Sequence, residues 1–135
     1  MTYTILEHTA DVRLLVEGRT LAELFAEAMR GMMEVAKPEE RKDAAENSRR
    51  IRVEAASRTA LLVDFLNEVL SLAHIHREAY TAVTFQAIED RRLDATVRGR
   101  AVERFGEDIK AVTYHEAEIR ETYGGGLETK LVFDI

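Results

Sequence analysis

The residues best suited to chemistry lie near the two ends of the chain. Asp11 falls at the start of an alternating apolar run, in a short polar segment that also holds Glu7, His8 and Thr9. Asp134 is the penultimate residue, and the Leu131 and Phe133 that precede it read as an ordered strand. If Ile135 is held at the end of that strand, its α-carboxylate lies close to the Asp134 side chain. Two anions so placed are costly unless a cation sits between them. With Asp11 added the donor set is all oxygen, which suits Ca²⁺, Mg²⁺ or Mn²⁺ and suits a soft metal poorly. The plainer alternative is that Asp134 is an ordinary surface acid on a frayed terminus.

Other constellations carry less. His74 and His76 stand two apart near the end of a helical stretch, where positions i and i+2 do not share a face, so they read as a helix-end feature and not as a metal pair. Arg91, Arg92, Arg98, Arg100 and Arg104 form a locally basic stretch interleaved with Asp90, Asp94, Glu103, Glu107 and Asp108. That pattern is first a solvated face, with RNA or a protein partner as the functional alternative. Gly124 to Gly126 is followed by Leu-Glu-Thr and lacks the Lys-Ser/Thr pair of a phosphate-binding loop, and no H-E-x-x-H, C-x-x-C or G-x-S-x-G occurs.

The elements that must position these residues follow from periodicity. Tyr3 to Leu6 and Val12 to Glu17 read as strands. Thr20 with Glu23 three residues on forms a capping box, and Leu21, Leu24, Phe25, Ala28, Met29, Met32 and Val35 make one helical stripe. Gly31 inside that helix points to close packing. Pro38 and the charged stretch from Lys37 to Arg50 read as a solvated connection, followed by a strand through Ile51, Val53 and Ala55. Ser57 caps a second helix whose wide apolar face makes it the central one. Strands at Ala82 to Ile88, Leu93 to Ala101, Lys110 to Glu121 and Leu127 to Ile135 complete the chain, with turns at Glu89 to Arg92 and at the three glycines. Two helices and about seven strands in this order predict an α+β two-layer sandwich, both helices on one face of a largely antiparallel sheet.

Composition bounds the rest. The chain has 135 residues, 46% hydrophobic and 33% charged, with seven Gly and one Pro, which predicts one globular domain over 1–135 and argues against disorder. A net charge of −6 disfavours nonspecific binding to nucleic acid, although a local basic patch is compatible with it. The absence of cysteine excludes disulfides, thiolate metal sites and a cysteine nucleophile. The N-terminal residues lack a basic start and an apolar stretch, and no run approaches the roughly 20 residues of a membrane span, so a cytoplasmic protein is expected.

Four segments carry a more specific resemblance. Glu7-His8-Thr9-Ala10-Asp11-Val12 with Gly18-Arg19-Thr20-Leu21 and Glu23-Leu24-Phe25 is similar to the opening signature of the archease family. Leu61-Leu62-Val63-Asp64-Phe65-Leu66-Asn67-Glu68, then Lys110-Ala111-Val112-Thr113-Tyr114-His115, and finally Phe133-Asp134-Ile135, continue the pattern in order over essentially the whole chain. The resemblance implies a fold related to the strand-helix-strand-strand module. It implies an accessory protein of the RtcB-type RNA ligase of tRNA splicing, one that promotes the ligase's covalent guanylate intermediate and its multiple turnover and broadens its nucleotide use without catalysing the joining. It implies a divalent-cation site at Asp11, Asp134 and the terminal carboxylate of Ile135, with Ca²⁺ in the isolated protein and Mg²⁺ or Mn²⁺ in the ligase complex. Lys110 matches a basic position implicated in activation, with His8 and His115 as weaker candidates. The expected partner is the ligase, with tRNA met only through it and neither DNA nor membrane involved. The competing readings are a small metal-dependent enzyme using His8 or His115 as general base, and a chaperone-like binder, which would need an exposed apolar surface.

Overall fold

Thr20 and Ser57 begin the two helices where the spacing predicts. In the computed structural model, which describes residues 11–135, Thr20 Oγ1 accepts the backbone N–H of Glu23 at 3.1 Å and Ser57 Oγ accepts that of Ala60 at 3.1 Å. Each bond satisfies an amide that the first turn of a helix leaves open. Helix α1 runs Leu21–Ala36 and α2 runs Arg58–His76, and both stop on a left-handed residue, Lys37 at φ 50° and Arg77 at φ 51°. The strand expected at Tyr3 to Leu6, and the segment Glu7 to Ala10 with His8, lie outside the described residues.

The strands, among the described residues, are β1 (Asp11–Gly18), β2 (Pro38–Glu40), β3 (Glu46–Glu54), β4 (Glu78–Ile88), β5 (Arg92–Phe105), β6 (Ala111–Thr113), β7 (Arg120–Glu121) and β8 (Leu127–Asp134). The protein is α+β, as expected, and all strand pairs among the described residues are antiparallel. The strands divide between two four-stranded sheets: β8 lies between β1 and the pair β6 and β7, while β5 carries β2, β3 and β4. Helix α1 rests on β1, β8 and β4, and α2 on β3, β4, β5 and β6, so each helix touches both sheets. Phe25, Phe65 and Phe85 bring α1, α2 and β4 together, with ring centroids 5.8 to 6.3 Å apart.

Two stretches differ from the sequence reading. The Lys37 to Arg50 stretch is not a bare connection, because it supplies β2 and half of β3. Its inward positions include Asn47 and Arg49, so the apolar alternation that marks a strand starts only at Ile51. Those two polar side chains face Glu78, which is 2% exposed. Glu78 accepts from Asn47 Nδ2 at 2.7 Å, from Arg49 Nε and Nη2 at 3.0 Å each, and from the Tyr80 hydroxyl at 2.7 Å. Burial pushes the Glu78 carboxyl up, and the bonds from Arg49, Tyr80 and Asn47 outweigh that and hold it below its ordinary value.

The segment Lys110 to Glu121 is likewise not one strand. β6 and β7 both pair with β8, and residues 114–119 bulge out between them. There side chains replace ladder bonds: Thr129 Oγ1 accepts the Glu118 N–H at 3.2 Å and Thr59 Oγ1 accepts that of Ile119 at 3.1 Å.

Two glycines record close approaches. A Cβ at Gly99 would overlap the carbonyl oxygen of Ala79, and one at Gly31 would meet a terminal methyl of Leu14, the close packing expected of that helix. No helix among the described residues is long and apolar enough to cross a membrane.

Candidate functional site

Strand β8 gathers the candidate residues. Its register sets Asp134 opposite Asp11 on β1 and opposite Ala111 on β6. Directly opposed residues in an antiparallel pair turn their side chains to the same face, with Cβ atoms about 4.5–5.5 Å apart. The next row, Val12 with Phe133 and Val112, turns inward, and Phe133 and Val112 are buried. Asp11 and Asp134 therefore stand side by side on the outer face, Asp134 exposed and Asp11 partly so. None of the ion pairs among the described residues includes either of them.

Lys110 joins this end through its backbone, whose N–H donates to the Asp134 carbonyl at 2.7 Å. Its side chain is exposed. Three residues far apart in sequence thus meet at one sheet end, with Ile135 next to Asp134. His115 sits beyond β6 in the bulge, exposed, with its Nε2 3.9 Å from Glu116. The bulge itself reaches back over the outer face, where Glu116 pairs with Arg13 of β1 at 3.6 Å.

Helix α2 braces the strand that carries Lys110. Asn67 Nδ2 donates to the Val112 carbonyl at 2.9 Å, and Asn67 Oδ1 accepts the Val112 N–H at 2.9 Å. One amide side chain thus supplies both hydrogen bonds that a neighbouring strand would give. Asp64, one turn earlier, accepts from the Tyr114 hydroxyl. That bond, together with burial, pushes the Tyr114 phenol above its ordinary value. The sequence places Asp64 and Asn67 within a motif without pointing to a role for either. The available signal is their i, i+3 spacing, which places two partly buried polar groups on one face of a helix whose other residues from Leu61 to Leu70 are apolar except Glu68.

The donor set can be weighed on its chemistry. Among the described residues no three His, Asp or Glu side chains cluster as a metal site would require. The expected set has two side-chain carboxylates, and its third member is a main-chain carboxylate. Two opposed carboxylates without a basic partner among the described residues match a hard, oxygen-seeking cation.

Comparison with known proteins bears on this arrangement. Residues 3–135 match the model of the archease protein family (MTH1598/TM1083). A Protein archease of Methanosarcina mazei is 30% identical over 141 residues, spanning 98% of this chain and 95% of that one. One from Thermoplasma volcanium is 30% identical with both chains fully covered. Among solved structures, an archease and possible chaperone from Thermotoga maritima superposes with a TM-score of 0.71 over 100% of this chain and 98% of that one, a likeness of fold at 23% identity. The solution structure of Methanobacterium thermoautotrophicum protein 1598 gives 0.68 at 28% identity, covering 96% of each chain. In sequence and in fold alike, the chain belongs to the archease family.

Proposed function

We propose that this archease is a non-catalytic accessory of the RtcB-type tRNA-splicing ligase, acting through the sheet end at Asp11, Asp134 and Lys110. The observation that carries the reading is the register of β8, which sets Asp134 opposite Asp11, neither in an ion pair among the described residues, with the Lys110 N–H bonded to the Asp134 carbonyl. Asp11, Asp134 and the α-carboxylate of Ile135 would hold a divalent cation, Ca²⁺ in the free protein and Mg²⁺ or Mn²⁺ beside the ligase. Such an ion supplies charge neutralisation near nucleotide phosphates, and phosphoryl transfer depends on charge and positioning more than on covalent help. The chain's own part is to hold the two carboxylates in one row and to anchor the Lys110 backbone on Asp134, from where the exposed lysine would meet a phosphate or an acidic ligase residue. Broad chaperone activity is less well supported. Among the described residues the large exposed apolar side chains, Leu15, Ile75, Tyr114 and Tyr123, belong to four different segments.

The test combines the cognate ligase, GTP and Mn²⁺ with and without this protein, reading the covalent guanylate adduct and turnovers per ligase. Stimulation that falls in Asp11→Asn, Asp134→Asn and Lys110→Ala supports the reading, and no stimulation by the cognate pair sinks it. Appending Gly-Ser after Ile135 moves the α-carboxylate away. If cation affinity and stimulation both survive that extension, the carboxylate is not a ligand.

A further inference from the structure

A second surface lies on the other sheet. Strand alternation turns Ser48, Arg50 and Arg52 of β3 outward beside Arg98 and Arg100 of β5, while Leu93, Ala95 and Val97 turn into the core. On this face Asp94 is shared by two guanidinium groups, Arg50 at 2.9 Å and Arg52 at 3.2 Å, which leaves one cationic charge in excess. Arg98 donates to the Thr84 hydroxyl at 2.7 Å. Neither Arg98 nor Arg100 has a carboxylate within 4 Å among the described residues. Counted over the stretch where β3 and β5 pair, five outward arginines face three carboxylates, with Glu89 of the adjoining turn 3.5 Å from Arg92, on a chain whose net charge is −6. Of the basic stretch seen in the sequence, Arg92, Arg98 and Arg100 are gathered on one sheet face with the arginines of β3, while Arg104 is held by Glu39 of β2.

The composition of the face selects its partner. Over the stretch where they pair, β3 and β5 turn no apolar side chain outward, and the outward apolar side chains of β4 are alanines. A protein partner needs buried aromatic or aliphatic anchors, and single-stranded nucleic acid is held largely by stacking on aromatic rings. Neither is provided. Guanidinium, hydroxyl and amide groups are the donors that contact the phosphates and sugars of a double helix. Thr84, Thr96 and Gln86 lie together, Thr96 Oγ1 donating to Gln86 Oε1 at 3.4 Å, and such groups can bond the ribose 2′-hydroxyl that separates RNA from DNA.

We infer that this face docks double-helical RNA by its sugar-phosphate backbone. The choice of RNA over DNA also rests on the ligase reading above. Binding is independent of sequence and sensitive to salt. With about three phosphates neutralised, affinity falls about 40-fold between roughly 50 and 200 mM salt.

The experiment is fluorescence anisotropy of a labelled RNA duplex with the full chain, across that salt range. The wild type is expected to bind with the stated salt dependence, and Arg98→Glu/Arg100→Glu to weaken binding about tenfold or more. Arg98→Gln/Arg100→Gln gives a smaller loss in the same direction and serves if the charge reversal disturbs folding. Absence of duplex binding, or a Gln pair that binds as wild type, overturns the proposal. So does equal affinity for a DNA duplex, preference for single-stranded RNA, or equal displacement of the duplex by polyglutamate. Guanylate adduct formation needs no RNA, so the double variant is expected to stimulate it as wild type does. A protein that fails to stimulate the ligase yet binds RNA duplex through Arg98 and Arg100 refutes the ligase reading and leaves this face standing.

Discussion

Replacing Asn67 by leucine tests whether the α2 brace holds the candidate site in place. The substitution keeps the side chain's approximate size and removes both bonds to Val112, each 2.9 Å long. Val112 is 3% exposed, so its N–H and C=O are left poorly hydrated. An unmet buried polar group costs about 1–3 kcal/mol. Two such groups, one of them partly reached by water, give a loss of about 2–4 kcal/mol. For a domain of this size each kcal/mol lowers Tm by about 4 °C, so a drop of about 8–16 °C is expected in calorimetry. The local signature is sharper. Because the Val112 amide donates only to Asn67, its hydrogen-exchange protection falls about 30-fold for 2 kcal/mol. Lys110, two residues earlier, is then less firmly registered on Asp134, and ligase stimulation falls at temperatures where the variant is still folded. A Tm within about 2 °C of wild type, together with unchanged Val112 protection, would refute the reasoning.

Three further outcomes follow from the same structure. Asp134→Asn relieves a like-charge pair directly opposed across a strand, so in chelator it raises stability by a few tenths of a kcal/mol; on the proposed cation site, calcium is expected to raise the Tm of the wild type by mass action and to leave that of the variant unchanged. Glu78→Gln removes the charge that Arg49 needs and lowers stability by about 3 kcal/mol at neutral pH in urea titrations. Because the folded carboxyl titrates below its ordinary value of 4.5, its stabilisation is complete above that pH and is lost as pH falls further, and the variant lacks this share of the acid slope. Gly99→Ala drives a methyl into the Ala79 carbonyl and destabilises by more than about 3 kcal/mol. Gly31→Ala meets only a movable Leu14 methyl and, offset by about 1 kcal/mol of helix propensity, stays near wild type in thermal melts.

The helices were legible because their signals are local. Thr20 and Ser57 cap within three residues, and the apolar stripes repeat within a single turn. The first half of β3 was hidden because Asn47 and Arg49 occupy inward positions for the sake of Glu78, a partner 29 residues or more away. The break between β6 and β7 was hidden for a similar reason: Thr59, Asn67 and Thr129 supply bonds that periodicity attributes to a continuous strand.

The candidate site divides along the same line. Residue type and position in the chain were enough to single out Asp11 and Asp134 as chemistry-bearing, and the family resemblance added Lys110, because each of these cues is read from the sequence one segment at a time. What the tertiary structure alone decided is that β8 runs between β1 and β6 in the register that sets Asp134 opposite Asp11 and bonds its carbonyl to Lys110. A shift of one residue in that pairing would turn Asp134 inward and Phe133 out. That choice is made by the burial of Leu131 and Phe133 and by the Asn67 brace, contacts between segments that no local pattern joins.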